Sequence, residues 1–284
     1  MAQLLTGKEV VQSIHADVKD RIEKLEESGI EPTLALVRVG MRLDDISYER
    51  QAVKKAELLN IRTLSFSLDE MTTQTEINET VRIINENDRI NGCLMLRPLP
   101  DHIDEQAVCK ALNYQKDVDG ISVDSLAAVF TDEGYGFPPC TAAAVIELLD
   151  HYDISLEGKN VVIIGRSLVV GKPLAMMMMK RNATVTICHS KTKNLPALSR
   201  EADIVVCAIG KAKMCGPDYF SAGQVVIDVG INIDENGKFS GDVDFDAVEP
   251  LVDAITPVPG GIGSVTTSVL MQNTVEAATR MQVS

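Results

Sequence analysis

The stretch that most constrains the fold is NVVIIGRSLVVGKP at residues 160–173, which predicts a buried strand, a tight turn and the start of a helix. Its continuous β-branched run, Val161–Ile164, is typical of a parallel strand covered on both faces. Gly165 lets the chain turn, and Gly171 lets the next helix pack closely. The free N–H groups of that helix favour a pyrophosphate, although only two glycines of the usual Gly-x-Gly-x-x-Gly pattern are present. A purely structural strand-turn-helix is the alternative.

Composition excludes several classes of function. The 284 residues carry 27 Lys and Arg against 41 Asp and Glu, a net charge of −14, which argues against a nucleic-acid or anionic-membrane surface. The absence of Trp and the 4% aromatic content argue against stacking on single-stranded nucleic acid. The N-terminus lacks the apolar core of a signal peptide, and no segment is apolar enough to span a bilayer. Six scattered cysteines predict reduced thiols in a cytoplasmic protein. Metal-ligand spacing is absent, so we expect no metal.

Helical and strand patterns alternate along the chain, which predicts an α/β fold with parallel strands. Helices are predicted at residues 7–27, 47–59, 73–85, 141–152 and 268–281, and strands at 33–39, 62–67, 92–96, 160–164, 184–188, 204–208 and 225–228. The last four strands suggest a doubly wound sheet. Residues 101–139 predict short helices and a domain boundary. Residues 256–267 are too rich in Gly and Pro for a strand or a helix.

The segment after the second strand of the predicted nucleotide domain is polar and basic, CHSKT at 188–192. A carboxylate is common at this place in an NAD site, where it binds the ribose and repels a 2′-phosphate. Here Ser190 can donate a hydrogen bond, and Arg166 in the preceding turn can grip a phosphate. The sequence therefore favours NADP and leaves NAD possible. A solvated loop with incidental charges is the alternative.

Two further features are candidates for chemistry. The run DVDG at 117–120 places two carboxylates in a turn, and such a run is often only a turn former. Tyr48 lies on the predicted second helix, where an ordinary core or surface aromatic is the alternative. No arrangement of a nucleophile with a base is visible.

Four motifs taken together, in their order and spacing, carry a resemblance to a known family. They are GRSxxxGKP at 165–173, DVDG at 117–120, DVGIN at 228–232 and TPVPGGIG at 256–263. The chain resembles the methylenetetrahydrofolate dehydrogenase/methenyltetrahydrofolate cyclohydrolase family over essentially its whole length. The resemblance implies a homodimer, with residues 1–140 plus 266–284 as an α/β folate-binding catalytic domain completed by the C-terminal helix. Residues 141–265 would form a Rossmann-type NAD(P)-binding domain, with tetrahydrofolate in the cleft between them.

The resemblance also implies roles for individual residues. The candidate catalytic residues are Tyr48, which would stack on the aminobenzoate ring, and Asp119, which would hydrogen-bond the pterin. The other residues implied to touch the folate are Pro259, Gly260 and Gly261. Those implied to touch the dinucleotide are Gly165, Arg166, Ser167, Ser190, Ile231 and Thr266.

The chain departs from the family where the hydrolytic half-reaction is handled. The resemblance implies that bifunctional members carry Tyr-x-x-x-Lys on the second helix and a Gln two residues before Pro-Leu-Pro. In this chain the position of the Lys is Ala52 and the position of the Gln is Leu96. Lys54 and Lys55, six and seven residues after Tyr48, and Arg97 beside Leu96 could offer a substitute cation. We expect the offset to be hard to bridge, because residues six apart on a helix do not share a face.

These features predict a monofunctional, NADP-linked methylenetetrahydrofolate dehydrogenase. Hydride loss from the methylene carbon needs mainly positioning, whereas hydrolysis of the methenyl bridge needs a positioned acid or base. Three alternatives remain open: a bifunctional enzyme that uses substitute groups, a non-catalytic folate- or nucleotide-binding protein, and an oxidoreductase for another small substrate.

Overall fold

The computed structural model describes residues 1–233 and 238–283, and the chain divides into two compact units. The three-stranded unit comprises Ser13–Cys140 and Thr267–Ser284, and the six-stranded unit comprises Met1–Gln12 and Thr141–Thr266. The predicted domains placed residues 1–12 with the folate-binding part, whereas the structure groups them with the six-stranded unit. Residues 234–237 and 284, which the predicted domain ranges include, lie outside the described residues.

Strands and helices alternate along most of the described chain. The strands are β1 (Gln3–Leu4), β2 (Thr33–Val39), β3 (Arg62–Leu68), β4 (Gly92–Met95), β5 (Asn160–Ile164), β6 (Thr184–Cys188), β7 (Ile204–Cys207), β8 (Val225–Asp228), β9 (Asn232–Ile233), β10 (Phe239–Ser240) and β11 (Ala254–Ile255). The helices are α1 (Gly7–Glu27), α2 (Leu43–Leu58), α3 (Gln74–Glu86), α4 (Glu105–Ala111), α5 (Val123–Thr131), α6 (Cys140–His151), α7 (Gly171–Lys180), α8 (Leu195–Arg200), α9 (Phe245–Val248) and α10 (Ile262–Val283). Short 3₁₀ turns cover Pro217–Tyr219 and Glu249–Leu251. Among the described helices, none is long and apolar enough to cross a membrane.

The three-stranded unit is built on a parallel sheet in the order β3-β2-β4. Every residue of β2 is buried, as expected of a central strand covered on both faces. Helix α2 begins at Leu43, four residues before its predicted start, and Asp44 and Asp45 in its first turn complement the helix dipole. The Gly/Pro-containing region before residue 140 contains the short helices α4 and α5, as predicted.

The six-stranded unit is a parallel sheet in the order β1-β11-β8-β7-β5-β6. Strand β5 lies between β6 and β7, so the order of strands reverses beside it. The predicted doubly wound sheet is therefore confirmed. Strand β1 was not predicted from the sequence. Its pairing with β11 explains why the first residues of the chain belong to this unit.

The last helix begins earlier than predicted. Helix α10 starts at Ile262, so the prediction that residues 262–267 are irregular was wrong. Within the segment 256–267, residues 256–261 lack regular structure. A Cβ at Gly263 would lie 2.9 Å from the Ile231 side chain, so glycine in the first turn of this helix makes room for a packed neighbour. Its presence there does not signal a break in the helix.

A buried lysine closes helix α3. Lys116 is 2% exposed, and its ammonium donates hydrogen bonds of 2.8, 2.9 and 2.8 Å to the carbonyls of Ile84, Asn85 and Asn87. The last carbonyls of a helix lack intrahelical donors, and a cation there also complements the helix dipole. Burial lowers the pKa of Lys116, but these three acceptors satisfy all three of its N–H groups.

We expect Lys116→Met to lower the free energy of unfolding by about 2–3 kcal/mol, because one buried and two partly buried carbonyls lose a charged donor. Urea unfolding followed by circular dichroism measures this loss. The control is Lys110→Met, which removes an exposed lysine and should change stability by less than about 0.5 kcal/mol. Equal effects of the two substitutions would contradict this account of Lys116.

Candidate functional site

The two carboxylates of the DVDG turn have different environments. Asp117 is fully buried, and its carboxylate accepts the N–H groups of Ile121 at 2.9 Å and Ser122 at 2.7 Å. It therefore closes the turn and shapes the chain around it. Asp119 is half-buried and takes no part in these bonds. The turn-former interpretation thus applies to Asp117, and Asp119 is the candidate for binding a ligand.

Asp119 lies against the first residue of α6. The thiol and the backbone N–H of Cys140 stabilise its carboxylate form, and the thiol donates a hydrogen bond to the neighbouring Val118 carbonyl at 3.2 Å. The pKa of Asp119 is raised to about 6, mainly by burial and to a smaller extent by the nearby Asp117 carboxylate, although Cys140 and the Arg97 charge oppose the rise. A carboxyl that titrates near neutrality, beside fixed donors, is typical of a functional site.

Tyr48 on α2 belongs to the same group of side chains. Its phenol hydrogen-bonds the Thr267 hydroxyl, and burial together with the charges of Asp119 and Cys140 raises its pKa, so the phenol stays neutral. The next residue, Glu49, pairs at 2.7 Å with Arg38 of β2, which fixes the rotation of α2 on the sheet. The structure therefore brings together the two predicted catalytic residues, Tyr48 and Asp119, within the three-stranded unit.

Lys55 shares a face of α2 with Tyr48, because residues seven apart on a helix lie nearly one above the other. Lys54 is exposed and lies six residues after Tyr48, so the expected difficulty of reaching the Tyr48 face applies to it. The difficulty does not apply to Lys55. The Lys55 ammonium donates to the Ser268 hydroxyl at 2.9 Å, and burial lowers its pKa. His15 also contacts this hydroxyl at 3.1 Å. Lys55 thus belongs to a polar cluster where α1, α2 and α10 meet.

Buried apolar residues occupy the two positions at which the family resemblance implies Lys and Gln in bifunctional members. Ala52 is 0% exposed and Leu96 is 6% exposed. Neither side chain can exchange a proton. Both replacements are therefore buried within the protein.

The candidate dinucleotide residues follow the carboxyl ends of neighbouring parallel strands. Gly165, Arg166 and Ser167 follow β5, and Ser190 follows β6, whose last residues pair in register. Ile231 follows β8, on the other side of β7. In doubly wound sheets, ligands bind outside the carboxyl ends of the strands where the strand order reverses. The order around β5 places that point at Gly165.

The backbone at this point leaves room only for glycine. A Cβ at Gly165 would lie 2.3 Å from the carbonyl oxygen of Ala208, and Gly165 has a φ of +143°. A Cβ at Gly171 would lie 2.1 Å from the carbonyl oxygen of Gly165. The turn therefore lies close to the start of α7, whose N–H groups can bind a pyrophosphate. These residues fit a dinucleotide.

A buried carboxylate that sequence reasoning did not single out shapes the same edge. Asp242 accepts the N–H groups of Ile209 at 2.5 Å, Gly210 at 3.0 Å and Lys211 at 2.8 Å, and so holds the loop after β7. It also accepts the Asn232 amide at 3.0 Å. The only sequence signal was an Asp beside a Gly, in GDVD at 241–244, which is common in ordinary turns.

Asp228, from the DVGIN motif, performs a similar task at the end of β8. It accepts the N–H groups of Gly230 at 2.9 Å, Asp242 at 3.0 Å and Val243 at 2.9 Å. Burial raises its pKa to about 6, against the effect of these three donors. Asp228 thus organises the backbone that leads to Ile231.

The remaining predicted residues lie near the start of α10, in the six-stranded unit. Ile231 packs on Gly263, and Thr266 follows within the same helix, where its hydroxyl donates to the Ile262 carbonyl at 3.2 Å. Residues 259–261 precede the helix, and the Gly260 carbonyl accepts the Gly7 N–H at 2.8 Å. Residues 259–261, predicted to line the folate pocket, thus belong to a different unit from Tyr48 and Asp119.

A doubly wound sheet with a glycine turn in one unit, and a titrating carboxyl in a second α/β unit, define a two-domain dinucleotide-dependent enzyme class. Two domain families match the chain: the tetrahydrofolate dehydrogenase/cyclohydrolase catalytic domain over residues 5–119, and the NAD(P)-binding domain of the same family over residues 139–282. The chain therefore belongs to the tetrahydrofolate dehydrogenase/cyclohydrolase family. This confirms the family resemblance, the two-domain α/β fold and a nicotinamide dinucleotide cofactor.

Relatives match along the whole chain. The bifunctional protein FolD of Carboxydothermus hydrogenoformans is 50% identical over 279 residues, which cover 98% of this chain and 97% of that protein. The structure of the bifunctional FolD enzyme of Campylobacter jejuni has a TM-score of 0.96 at 38% identity, with 99% of each chain covered. The FolD structure of Trypanosoma brucei, complexed with NADP and an inhibitor, has a TM-score of 0.94 at 32% identity and covers 100% of this chain and 99% of that one.

We expect Gly165→Ala to weaken NADPH binding at least about tenfold, equivalent to about 1.4 kcal/mol, because the new methyl group forces the turn away from Ala208. Titration of NADPH fluorescence measures the affinity. Gly216→Ala is the matched control, since its Cβ would meet only the flexible end of Asp218 at 3.3 Å. Unchanged NADPH affinity in a folded Gly165→Ala protein would refute the binding of the dinucleotide at this turn.

Proposed function

We propose that this chain oxidises 5,10-methylenetetrahydrofolate to 5,10-methenyltetrahydrofolate with NADP, as a dehydrogenase of one-carbon metabolism. The observation that carries the proposal is the grouping of neutral Tyr48 with the titrating Asp119 carboxyl in one unit of a family member. An ionised Asp119 would accept N–H groups of the pterin, and the ring of Tyr48 would stack on the aminobenzoate. Residues 259–261 would line the pocket.

Such a site can catalyse the oxidation mainly by positioning. Bound NADP supplies the nicotinamide that accepts the hydride. The two nitrogens that flank the methylene carbon of the substrate stabilise the cation left behind, so the protein needs no strong acid or base for this step. Asp119 and Tyr48 would fix the orientation of the folate, which is the contribution that a hydride transfer requires.

The preference for NADP rests on the residues after β5 and β6. Arg166 and Ser190 are exposed and follow paired strand ends, and no carboxylate occurs in CHSKT at 188–192 to repel a 2′-phosphate. The Trypanosoma brucei relative was solved with NADP. Gly165, Ser167, Ile231 and Thr266 would contribute the remaining dinucleotide contacts.

We also propose that the cyclohydrolase activity of the family is lost. The supporting observation is the apolar burial of Ala52 and Leu96, because a positioned acid or base typically contributes about 10²–10⁴-fold to such a hydrolysis. We further propose a cytoplasmic homodimer. The six cysteines, all buried and unbridged, support a reducing compartment, and the dimer rests on the family resemblance.

The second candidate is a bifunctional dehydrogenase/cyclohydrolase. Relatives with 50% and 38% identity carry the name bifunctional. Lys55 favours this candidate, since it lies on the Tyr48 face of α2 and burial lowers its pKa toward the range in which an amine exchanges protons. Its bond to Ser268 would have to open for it to reach a ligand.

A paired assay separates the two candidates. Purified protein is given 5,10-methylenetetrahydrofolate with NADP or NAD, and reduced nicotinamide and methenyltetrahydrofolate are followed separately. We expect both to rise together, faster with NADP, and the methenyl product then to decay at its spontaneous rate. Absence of any nicotinamide reduction would refute the dehydrogenase.

If the methenyl product instead decays in an enzyme-dependent way, the Lys55 candidate is tested directly. Lys55→Met should then abolish that decay and spare the reduction of NADP, whereas Lys54→Met, which alters the exposed neighbour, should leave both unchanged. Persistence of the decay in Lys55→Met would exclude this lysine.

We expect kcat/KM for the folate to fall as the pH drops through about 6, where the Asp119 carboxylate becomes protonated and loses its capacity to accept pterin N–H groups. Asp119→Asn should lower kcat/KM at pH 7.5 by about 10²-fold, as expected for a buried charged hydrogen bond of about 3 kcal/mol, and should remove this acid limb. Initial rates from pH 5 to 8 measure both effects. An acid limb that persists in Asp119→Asn would assign the limb to another group.

A further inference from the structure

Strand β3 forms one edge of the three-stranded sheet. It pairs in register with β2 over all seven of its residues, and within the described residues no strand pairs with its other side. Edge strands elsewhere are shorter, with five residues in β6 and two in β1. The opposite edge of the same sheet, β4, donates the Cys93 N–H to the Lys116 carbonyl at 2.7 Å. Strand β3 is therefore the longest open edge in the described part of the chain.

The hydrogen bonds to β2 show which backbone groups of β3 point outward. The Arg62 N–H donates to the Pro32 carbonyl at 2.9 Å, and the Leu68 carbonyl accepts the Gly40 N–H at 3.0 Å. In a parallel ladder, the residues that bond one neighbour recur at every second position, so the even-numbered residues of β3 face β2. The residues whose N–H and C=O groups point away from the sheet are therefore Thr63, Ser65 and Ser67.

This edge carries none of the features by which natural edge strands avoid pairing. Those features are lysine, proline, bulges and inward-pointing charges. Residues 63–68, TLSFSL, contain no charge and no proline, and their unbroken register with β2 leaves no bulge. Arg62, at the first position of the strand, lies 3.4 Å from Glu31. In a chain with a net charge of −14, an uncharged edge lets a second copy approach with little local repulsion.

The outward groups are placed symmetrically about Ser65. When two copies of β3 lie antiparallel with Ser65 opposite Ser65, Thr63 lies opposite Ser67. Each of these opposed pairs then exchanges two backbone hydrogen bonds, so every outward group gains a partner. Leu64 lies opposite Phe66 between them, and both are only partly buried on the core of their own unit. Cross-strand apolar pairs of this kind stabilise a sheet.

The elements joined to β3 also expose apolar side chains. Leu58 at the end of α2 is 61% exposed, Met71 after β3 is 78% exposed, and Ile83 on α3 is 42% exposed. Stable interfaces bury about 800 Å² on each partner, which is more than one strand edge supplies. Apolar surface on these neighbouring elements can supply the remainder.

We propose that β3 pairs antiparallel with β3 of a second copy of this chain, about a two-fold axis at Ser65, an inference that rests on the homodimer proposed above. The two three-stranded sheets then become one continuous sheet. A two-fold interface uses the same patch on both copies. A strand whose outward groups are symmetric about one residue meets that requirement, and an unrelated partner would not need this symmetry.

Charges placed at the axis test this pairing. Ser65 is exposed, so Ser65→Lys and Ser65→Asp should fold. Each should weaken self-association at least about tenfold, because two like charges lie directly opposite one another. A mixture of the two variants should restore the dimer, because a lysine then lies opposite an aspartate. Analytical ultracentrifugation of the full chain measures the mass, and circular dichroism checks the fold.

Two further variants complete the design. Thr131→Lys adds the same charge at an exposed hydroxyl residue of the same unit, at the end of α5, and should leave the dimer unchanged. Ser65→Pro removes an N–H that has no partner in β2, and proline is tolerated on such an edge. It should therefore preserve the fold and weaken the dimer.

Amide hydrogen exchange gives a readout that needs no variant. The amides of Thr63, Ser65 and Ser67 should be protected in the dimer and should exchange rapidly once dilution yields monomer. The amides of Leu64 and Phe66, which face β2, should stay protected in both states. Rapid exchange at Ser65 in the dimer would overturn the pairing.

The outcomes separate this inference from the function proposed above. A wild-type chain that is monomeric at micromolar concentration would overturn both the homodimer and the pairing. A dimer that is unaffected by Ser65→Lys, or that does not return when Ser65→Lys is mixed with Ser65→Asp, would overturn the pairing alone. The dehydrogenase is judged separately, by reduction of the nicotinamide.

Discussion

Buried carboxylates that accept several backbone N–H groups hold the loops on which both candidate sites depend. A charge removed from water is expensive unless donors surround it. Asp117 meets this requirement with two N–H groups and Asp242 with three, and each bond fixes a loop residue. Asp117 shapes the turn that presents Asp119, and Asp242 shapes the loop after β7 beside Gly165. The candidate ligand-binding residues thus depend on neighbouring carboxylates that hold the backbone in place.

The three-stranded unit separates fixed charge from exchangeable protons. Arg97 follows β4, lies 3.5 Å from the Glu105 carboxylate and cannot lose its proton. Lys55 can exchange a proton, but its ammonium is bound to Ser268 at the junction of three helices. Ala52 and Leu96 are both buried, and neither side chain can exchange a proton. These environments are the basis of the proposed loss of hydrolysis, whereas relatives with 50% and 38% identity are named bifunctional.

Local pattern predicted the long elements well and the short ones poorly. Helix α1 and strand β2 have the predicted bounds, because the apolar periodicity of each matches one face or one buried run. Strands β1 and β11 have two residues each, too few for a pattern, and they form by pairing: β11 pairs with β8, and β1 pairs with β11. The start of α10 was missed because its glycine, which weakens a helix locally, accommodates a side chain from a distant loop.

The sequence by itself determined the fold class, the glycine turn and the family, because each depends on residue types at fixed local spacing. The roles of the individual site residues stay predictions. Only the tertiary structure decided which aspartate of DVDG closes the turn, and that Lys55 meets Ser268, 213 residues away. Hydrogen-bond partners and burial set the charge state of a side chain. Both come from segments far apart in the chain, so local spacing does not encode them.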